Sequence, residues 1–206
     1  SSSCSCPNPT AGCGPSACTV IRVWMCARRD LVTDWERAQA HTSVFAGCDM
    51  GAQRAAWCTA FTAEDAALAG HDHALSLMDL VKAFETVPHH ILVEAAKLRG
   101  YPLRLLRLSL DAYRLRRVVG VDGVYSKAMR GTRGITAGSG FATAELKVIL
   151  LDLVVLLHAR WPRVLMVTLY VDDLTLAACG TPAFVIRVVA EAVAFAIHFL
   201  EDSLLM

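Results

Sequence analysis

The sequence predicts an α+β fold, with elements from residue 71 onward in the order β-α-α-β-β-α-β-β-α. Three observations predict it. Apolar runs of strand length at 73–78, 164–171 and 174–178 stand apart from longer stretches with helical spacing. Glycine, proline and Asp-Gly signals separate the runs. The order of the runs is that of a split β-α-β unit.

Each element has a local reason. His73 to Met78 precedes Asp79 and reads as a buried strand. Pro88 suits the first turn of a helix. Ile91, Leu92, Ala95 and Leu98 recur at helical spacing, and Gly100 followed by Pro102 ends it. A second helix over about 102–116 carries Leu105, Leu106 and Tyr113. Residues 117–131 read as two strands around Asp122-Gly123, a hairpin signal. Residues 139–158 are apolar nearly all round and predict a buried helix. Val164–Val171 and Leu174–Ala178 are strands with Asp172 and Asp173 between them. Thr181 caps a last helix with Pro182 at its first position. Phe184, Val185, Val188, Ala192, Phe195 and Phe199 line its inner face. Upstream, residues 1–20 read as a low-complexity tail rich in Ser, Pro and Gly. Residues 21–70 are mixed and Ala-rich, with helices at 30–40 and 52–69.

The chain has 206 residues, enough for one domain and a tail. Hydrophobic residues make up 55% and charged residues 19%, which excludes disorder and predicts a large core. A mean hydropathy of +0.44 raises the question of a membrane span. The apolar runs 146–157 and 164–179 are interrupted by Lys147, Asp152, Asp172 and Asp173, so no membrane segment is expected. No basic-then-apolar leader opens the chain. It begins at Ser1 rather than Met, as a fragment of a longer polyprotein would. No compartment is encoded; nucleus and cytoplasm both suit an intracellular chain.

Eight cysteines are present. Cys4, Cys6, Cys13 and Cys18 crowd the tail at a spacing that matches no zinc pattern. Cys26, Cys48, Cys58 and Cys179 sit among apolar residues and read as reduced core side chains. His71, His73, His89 and His90 flank the 73–79 strand and the helix after it, and read as polar edge residues rather than zinc ligands.

The net charge of +1 conceals an asymmetry. From Lys97 to Arg133 ten basic residues oppose only Asp111 and Asp122, a net +8 that leaves −7 for the remainder. Such a block is an electrostatic footprint for a polyanion, or else a solvated helix face.

Three carboxylates stand where carboxylates are costly. Asp79 ends an apolar strand, and Asp172 and Asp173 interrupt another. Like charges side by side need a partner, and short hard-oxygen ligands suit Mg²⁺. The bland alternative is a hairpin turn, for which Asp-Asp is good chemistry. A second constellation, Gly131 to Gly140, leads into a helix. It lacks the Gly-Lys-Ser/Thr of a Walker loop, but its glycines let backbone approach a phosphate or base.

Together these residues carry a resemblance. Asp79-Leu-Val-Lys-Ala-Phe-Glu-Thr-Val-Pro-His89 resembles the first palm motif of reverse transcriptases, especially those of non-LTR retrotransposons. Gly134-Ile-Thr-Ala-Gly-Ser139 resembles their second, and Tyr170-Val-Asp-Asp173 their third. Order and spacing fit across roughly residues 71–200. The resemblance implies a right-hand polymerase palm over 71–206, an antiparallel sheet packed on helices, with partial fingers in 21–70 and no thumb. It implies an RNA-directed DNA polymerase that joins deoxynucleoside triphosphates to a DNA primer on an RNA template. Asp79, Asp172 and Asp173 would be catalytic. With the backbone of Leu80 they would hold two Mg²⁺ ions, Mn²⁺ being the alternative. Phe84 would sit under the sugar, with a core aromatic as its bland reading. Gly138 and Ser139 would border the nucleotide, and Tyr170 and Val171 would face the primer end. Arg114, Arg116 and Arg117, in the basic block, would bind primer or template. Lys82 is typical of the family and also suits a solvated position.

The chain departs from the pattern at Ala137, where the family has Gln, at Thr136, where Pro is common, and at Glu85, which replaces Asp. Arg22, Arg28, Arg29, Arg37 and Arg54 are the candidates for the fingers' triphosphate-binding residues. No residues follow Met206 for a later palm lysine, a primer-gripping hairpin or a thumb. A catalytically inactive remnant that binds RNA is therefore the alternative. An unrelated Mg²⁺ phosphohydrolase would need a general base that the sequence does not show.

Overall fold

The structure is a computed structural model that describes residues 19–47, 50–136 and 138–206. Cys4, Cys6, Cys13, Cys18, Cys48 and Ala137 lie outside the described residues.

Three helices come first: α1 (Thr19–Ala27), α2 (Arg29–Ala38) and α3 (Ala52–Leu68). Residues 1–18 of the expected tail lie outside the described residues, and Thr19 already belongs to α1. Strand β1 (Asp72–Asp79) leads through a one-turn helix α4 (Ala83–Thr86) to α5 (His89–Leu98) and α6 (Leu103–Tyr113). The predicted hairpin is split in two. Its outer ribbon pairs β2 (Arg116–Arg117) with β5 (Met129–Arg130), and its inner one pairs β3 (Gly120–Val121) with β4 (Val124–Tyr125). Asp122 and Gly123 make the turn, both with positive φ, as Asp-Gly hairpins require. Then come α7 (Ala142–Arg160), β6 (Leu165–Tyr170), β7 (Asp173–Gly180) and α8 (Pro182–His198), which runs on as a π-helical turn over Phe199–Ser203.

The main sheet has the order β1-β7-β6, antiparallel throughout. Strands β1 and β6 are therefore parallel with β7 between them, the split β-α-β unit of the sequence. Residues facing each other across antiparallel strands share a face. Met78, Leu174 and Leu169 make one rung, Ser76, Leu176 and Val167 the next, and Ala74, Ala178 and Leu165 a third. These rungs meet α7 and α8, and the core lies there. Helix α7 has eleven buried residues, including Leu146, Ile149, Leu150, Leu153 and Leu157.

The opposite face carries Leu75 and Leu77 on β1, 42% and 74% exposed. The strand expected to be buried is thus an edge strand, half in solvent. Helix α3 crosses part of this face. Its Thr59 and Thr62, with Ser43, His158, Thr168 and Thr175, line a cavity of about 230 Å³. Cys26 and Cys58 are exposed and Cys179 is half-buried, so the expectation of core cysteines fails for these three. The expectation of no membrane-length segment also needs correction. The continuous helix Pro182–Ser203 is long and apolar enough to span a membrane. A third of its most apolar window is buried, with Val185, Val188 and Ala192 in the core beside β1 and β7.

Candidate active site

The exposed face of the sheet ends in a polar rung. Asp79 lies opposite Asp173, and Asp173 opposite Tyr170. The side chains of Asp79, Asp173 and Tyr170 therefore share one face, with opposed Cβ atoms about 4.5–5.5 Å apart. The regularity of the sheet positions them: eight consecutive pairs from Asp72↔Gly180 to Asp79↔Asp173 fix the register. A slip of one residue would turn Asp79 into the core.

Val171 and Asp172 form the turn between β6 and β7. Val171 has φ +58°, a left-handed conformation that a β-branched residue adopts only under strain. The carbonyl of Asp172 accepts the Leu80 N–H at 3.4 Å, which ties the turn to the end of β1. Asp79 and Asp173 are exposed and Asp172 is half-buried. Among the described residues none of the three pairs with Lys, Arg or His. Like charges directly opposite on a sheet repel. Uncompensated hard-oxygen donors of this kind fit a divalent cation in chemistry. Among the described residues, however, no three His, Cys, Asp or Glu side chains gather closely enough to hold an ion together.

The glycine loop joins this rung through the segment after β1. Gly134 N–H donates to Val87 O at 2.8 Å, and Ile135 N–H to Phe84 O at 2.7 Å. Gly134 has φ +89°, and a Cβ there would stand 2.8 Å from the Glu85 carbonyl oxygen. Only glycine permits that approach. Phe84 is half-buried and packs against the core cluster. Lys82 is exposed, with φ +54°, and caps α4.

Polar side chains from four directions hold the loop. Arg22 of α1 donates to Gly138 O at 3.2 Å. Of the five arginines named for triphosphate binding, it is the one with a hydrogen bond to the loop among the described residues. Met25 lies against Ser139 and Gly140. His89 Nε2–H donates to Gly134 O at 2.9 Å, and its Nδ1 accepts from Arg114 Nε at 3.2 Å. Both ring nitrogens are thus committed to the neutral form. Burial above all, opposed by the Gly134 bond and helped by the nearby Arg114 and Arg117, lowers the pKa of His89. Arg117 donates to Tyr113 O and Thr136 Oγ1. The hydroxyl of Tyr113 bridges Ser139 Oγ at 2.7 Å and Glu145 Oε2 at 2.5 Å.

His89, Glu145 and Met25 escaped the sequence reading. His89 is 3% exposed rather than an edge residue. A histidine beside Pro88 gives no signal of burial. Glu145, like Lys147 and Asp152, breaks the apolar run of its helix, and that break was the available signal. Two of the three expected primer or template arginines are also otherwise engaged: Arg114 and Arg117 are half-buried and brace the loop. Arg116 is exposed and lies opposite Arg130 across β2 and β5. Neither has a carboxylate partner among the described residues. Two cations held face to face suit a polyanion.

No protein-family profile matches the chain, and no curated protein matches it. Fourteen chains of known structure do match. One is apo telomerase from Candida tropicalis, truncated from its C-terminal domain, with a TM-score of 0.55 and 13% identity. The match covers 83% of this chain and 36% of that one, so the chain spans about a third of the telomerase chain. At this identity the likeness is one of fold: the chain has a mixed α+β, reverse-transcriptase-like fold.

Proposed function

We propose that the chain is the catalytic core segment of an RNA-directed DNA polymerase, part of a longer retroelement polyprotein. One observation carries the reading: Asp79 and Asp173, 94 positions apart in sequence, are cross-strand partners on the exposed face, with no countercharge among the described residues. The telomerase-like fold supports nucleic-acid partners in general. Asp79 and Asp173, with Asp172 and the Leu80 backbone, would hold Mg²⁺ or Mn²⁺. Bound divalent cations would supply charge neutralisation for phosphoryl transfer.

The chain's own residues position the reactants. The Gly134–Ser139 loop offers backbone close to Phe84, where a sugar would lie. Tyr170, on the rung with Asp173, would face the primer end, with Val171 in the turn beside it. Gly138 and Ser139 would border the base. Arg116 and Arg130 would meet the phosphates of template or primer. Deoxynucleoside triphosphates and a primer 3′-hydroxyl are the reactants on this reading.

The test is extension of a DNA primer on an RNA template with Mg²⁺ or Mn²⁺, comparing the chain with Asp79→Asn and Asp173→Asn. Extension that both variants abolish is expected. Extension that survives both removes the proposal. A second reading rests on the absence of a three-ligand cluster among the described residues: a remnant that binds RNA without catalysis. RNA binding that is unchanged by Mg²⁺ and by both variants, with no extension, would favour it.

A further inference from the structure

Glu145 is a carboxyl group with no exposure to solvent, in a helix that buries mainly leucine, isoleucine and valine, with Lys147 its one other buried charged residue. Its Oε2 is joined to Tyr113, and Tyr113 to Ser139 of the loop. Among the described residues its Oε1 is buried without a partner, as is the hydroxyl of Ser109 on α6. Tyr101, just ahead of α6, is a further buried hydroxyl with no partner. Other titratable groups face this cluster. Glu36 of α2 acts on Tyr101 from the far side. Lys147, on the same helix as Glu145, turns instead to Glu36 O and the Trp35 ring. From α5 the His89 ring lies 6.4 Å from that of Tyr113. Among the described residues no cation pairs with Glu145.

Each hydroxyl in this relay has one proton to give. If Glu145 is ionised, Tyr113 must donate to it and Ser139 must donate to Tyr113. The proton of Ser139 is then drawn inward, and an anionic Oε1 is left unpaired in the core, which is costly. If Glu145 is neutral, its O–H can donate to Tyr113, Tyr113 to Ser139, and the Ser139 proton points outward. The unpaired Oε1 is then only a carbonyl oxygen.

We infer that Glu145 is a positioning residue. In its neutral form it sets the direction of the Glu145–Tyr113–Ser139 relay and holds the Ser139–Phe141 part of the loop in place. This rests on the proposed function only in that the loop borders the nucleotide. The loop carries its own reporters. Ser139 N–H donates to Thr136 O, Gly140 N–H to Met25 Sδ, and Phe141 N–H to Ser139 Oγ.

Hydrogen exchange of the peptide spanning 138–142, read by mass spectrometry from pH 5 to 8 and corrected for intrinsic rates, tests the inference without nucleotide or metal. Burial, opposed by the nearby Tyr113 and Ser109 hydroxyls, pushes the Glu145 pKa up to about 7. Opening that returns Glu145 to water would then become up to about 70-fold more favourable between pH 5 and 8. Protection in the wild-type chain should fall accordingly. Glu145→Gln, whose amide can donate to Tyr113 at every pH, should keep the loop protected and level. Tyr113→Phe, which cuts the relay, should leave it weakly protected and level. His89 gives only the opposite trend, a protection that rises with pH, so a fall that remains in Glu145→Gln counts against the inference. A wild-type profile without slope, or the full slope persisting in Glu145→Gln, overturns the inference. If primer extension is measurable, the triphosphate KM should rise with pH in the wild type and stay level in Glu145→Gln. A chain inert in extension but with the expected exchange profiles would count against the proposed function and leave the role of Glu145 standing.

Discussion

Replacing Gly134 by alanine tests the junction between the loop and the segment that follows β1. The new Cβ would stand 2.8 Å from Glu85 O, 3.1 Å from Glu85 Cα and 3.2 Å from Glu85 C, all backbone atoms that no rotamer change can move. The φ of +89° adds strain of about 1–2 kcal/mol for a residue with a Cβ. Relief of the clash requires the strands of the junction to part. That stretches the Gly134–Val87 bond of 2.8 Å and the Ile135–Phe84 bond of 2.7 Å. Loss of one of them costs about 1 kcal/mol. The expected destabilisation is about 3 kcal/mol, measured as a shift in the urea midpoint at unchanged m-value. Gly140→Ala is the control, since its Cβ would meet only the side chain of Met25, at 3.2 Å. A loss below about 1 kcal/mol for Gly134→Ala, or equal losses for both variants, would refute the argument that loop and segment are locked backbone to backbone.

The double variant Arg116→Ala/Arg130→Ala should weaken nucleic-acid binding alike for all sequences and lower the log–log salt slope by about 1.5, two phosphate contacts' worth. Arg117→Ala should instead lower stability, since its guanidinium is bonded to Tyr113 O and Thr136 Oγ1; an unchanged slope in the double variant would show those two arginines to be merely solvated. Glu145→Gln should change the pH dependence of global stability. The pKa of Glu145 is raised from 4.5 to about 7, so its favourable contribution is complete below 4.5 and lost as pH rises to 7. Relative to the variant, the wild type should lose about 3 kcal/mol between those values in urea titrations and nothing further above them.

Regular elements were legible because apolar spacing reports them directly. The order of strands and helices, the Asp122-Gly123 turn and the Thr181-Pro182 helix start all follow from local chemistry. The sequence marked Asp79, Asp172 and Asp173 as costly carboxylates, but that Asp79 lies opposite Asp173 is set by the strand register alone. What failed was the inference from composition to burial. Leu75 and Leu77 look like core residues in sequence, but β1 is an edge strand with one face uncovered. The membrane-length run at 182–203 was passed over because its amphipathic reading, with Val185, Val188 and Ala192 inward, already explained it. The polar braces of the loop were illegible for a different reason. His89, Tyr113 and Glu145 lie 45, 21 and 11 positions from Gly134, and no local rule links them. Their roles exist only once α5, α6 and α7 have packed.

The two halves of the candidate site are therefore held by different physics. The Asp79–Asp173 rung rests on a ladder of eight paired positions and a core face of leucine, valine and alanine. Such a frame tolerates change on its open face. The loop has no ladder of its own. It relies on Arg22, His89, Arg117 and Tyr113, each bonded to it from another element. An apolar residue at 145 would pack at lower cost, since a buried unpaired oxygen is destabilising. What the carboxyl adds is direction: a hydroxyl relay has two senses, and leucine selects neither. Its neighbour His89 works in the opposite sense. With its pKa lowered from 6.5, its contribution is lost as pH falls below 6.5, whereas that of Glu145 is lost as pH rises toward 7. The brace at Gly134 thus loosens as pH falls below 6.5, and the brace at Ser139 loosens as pH rises from 4.5 toward 7. The two windows overlap below 6.5, so there the two braces of the loop answer a change of pH in opposite senses.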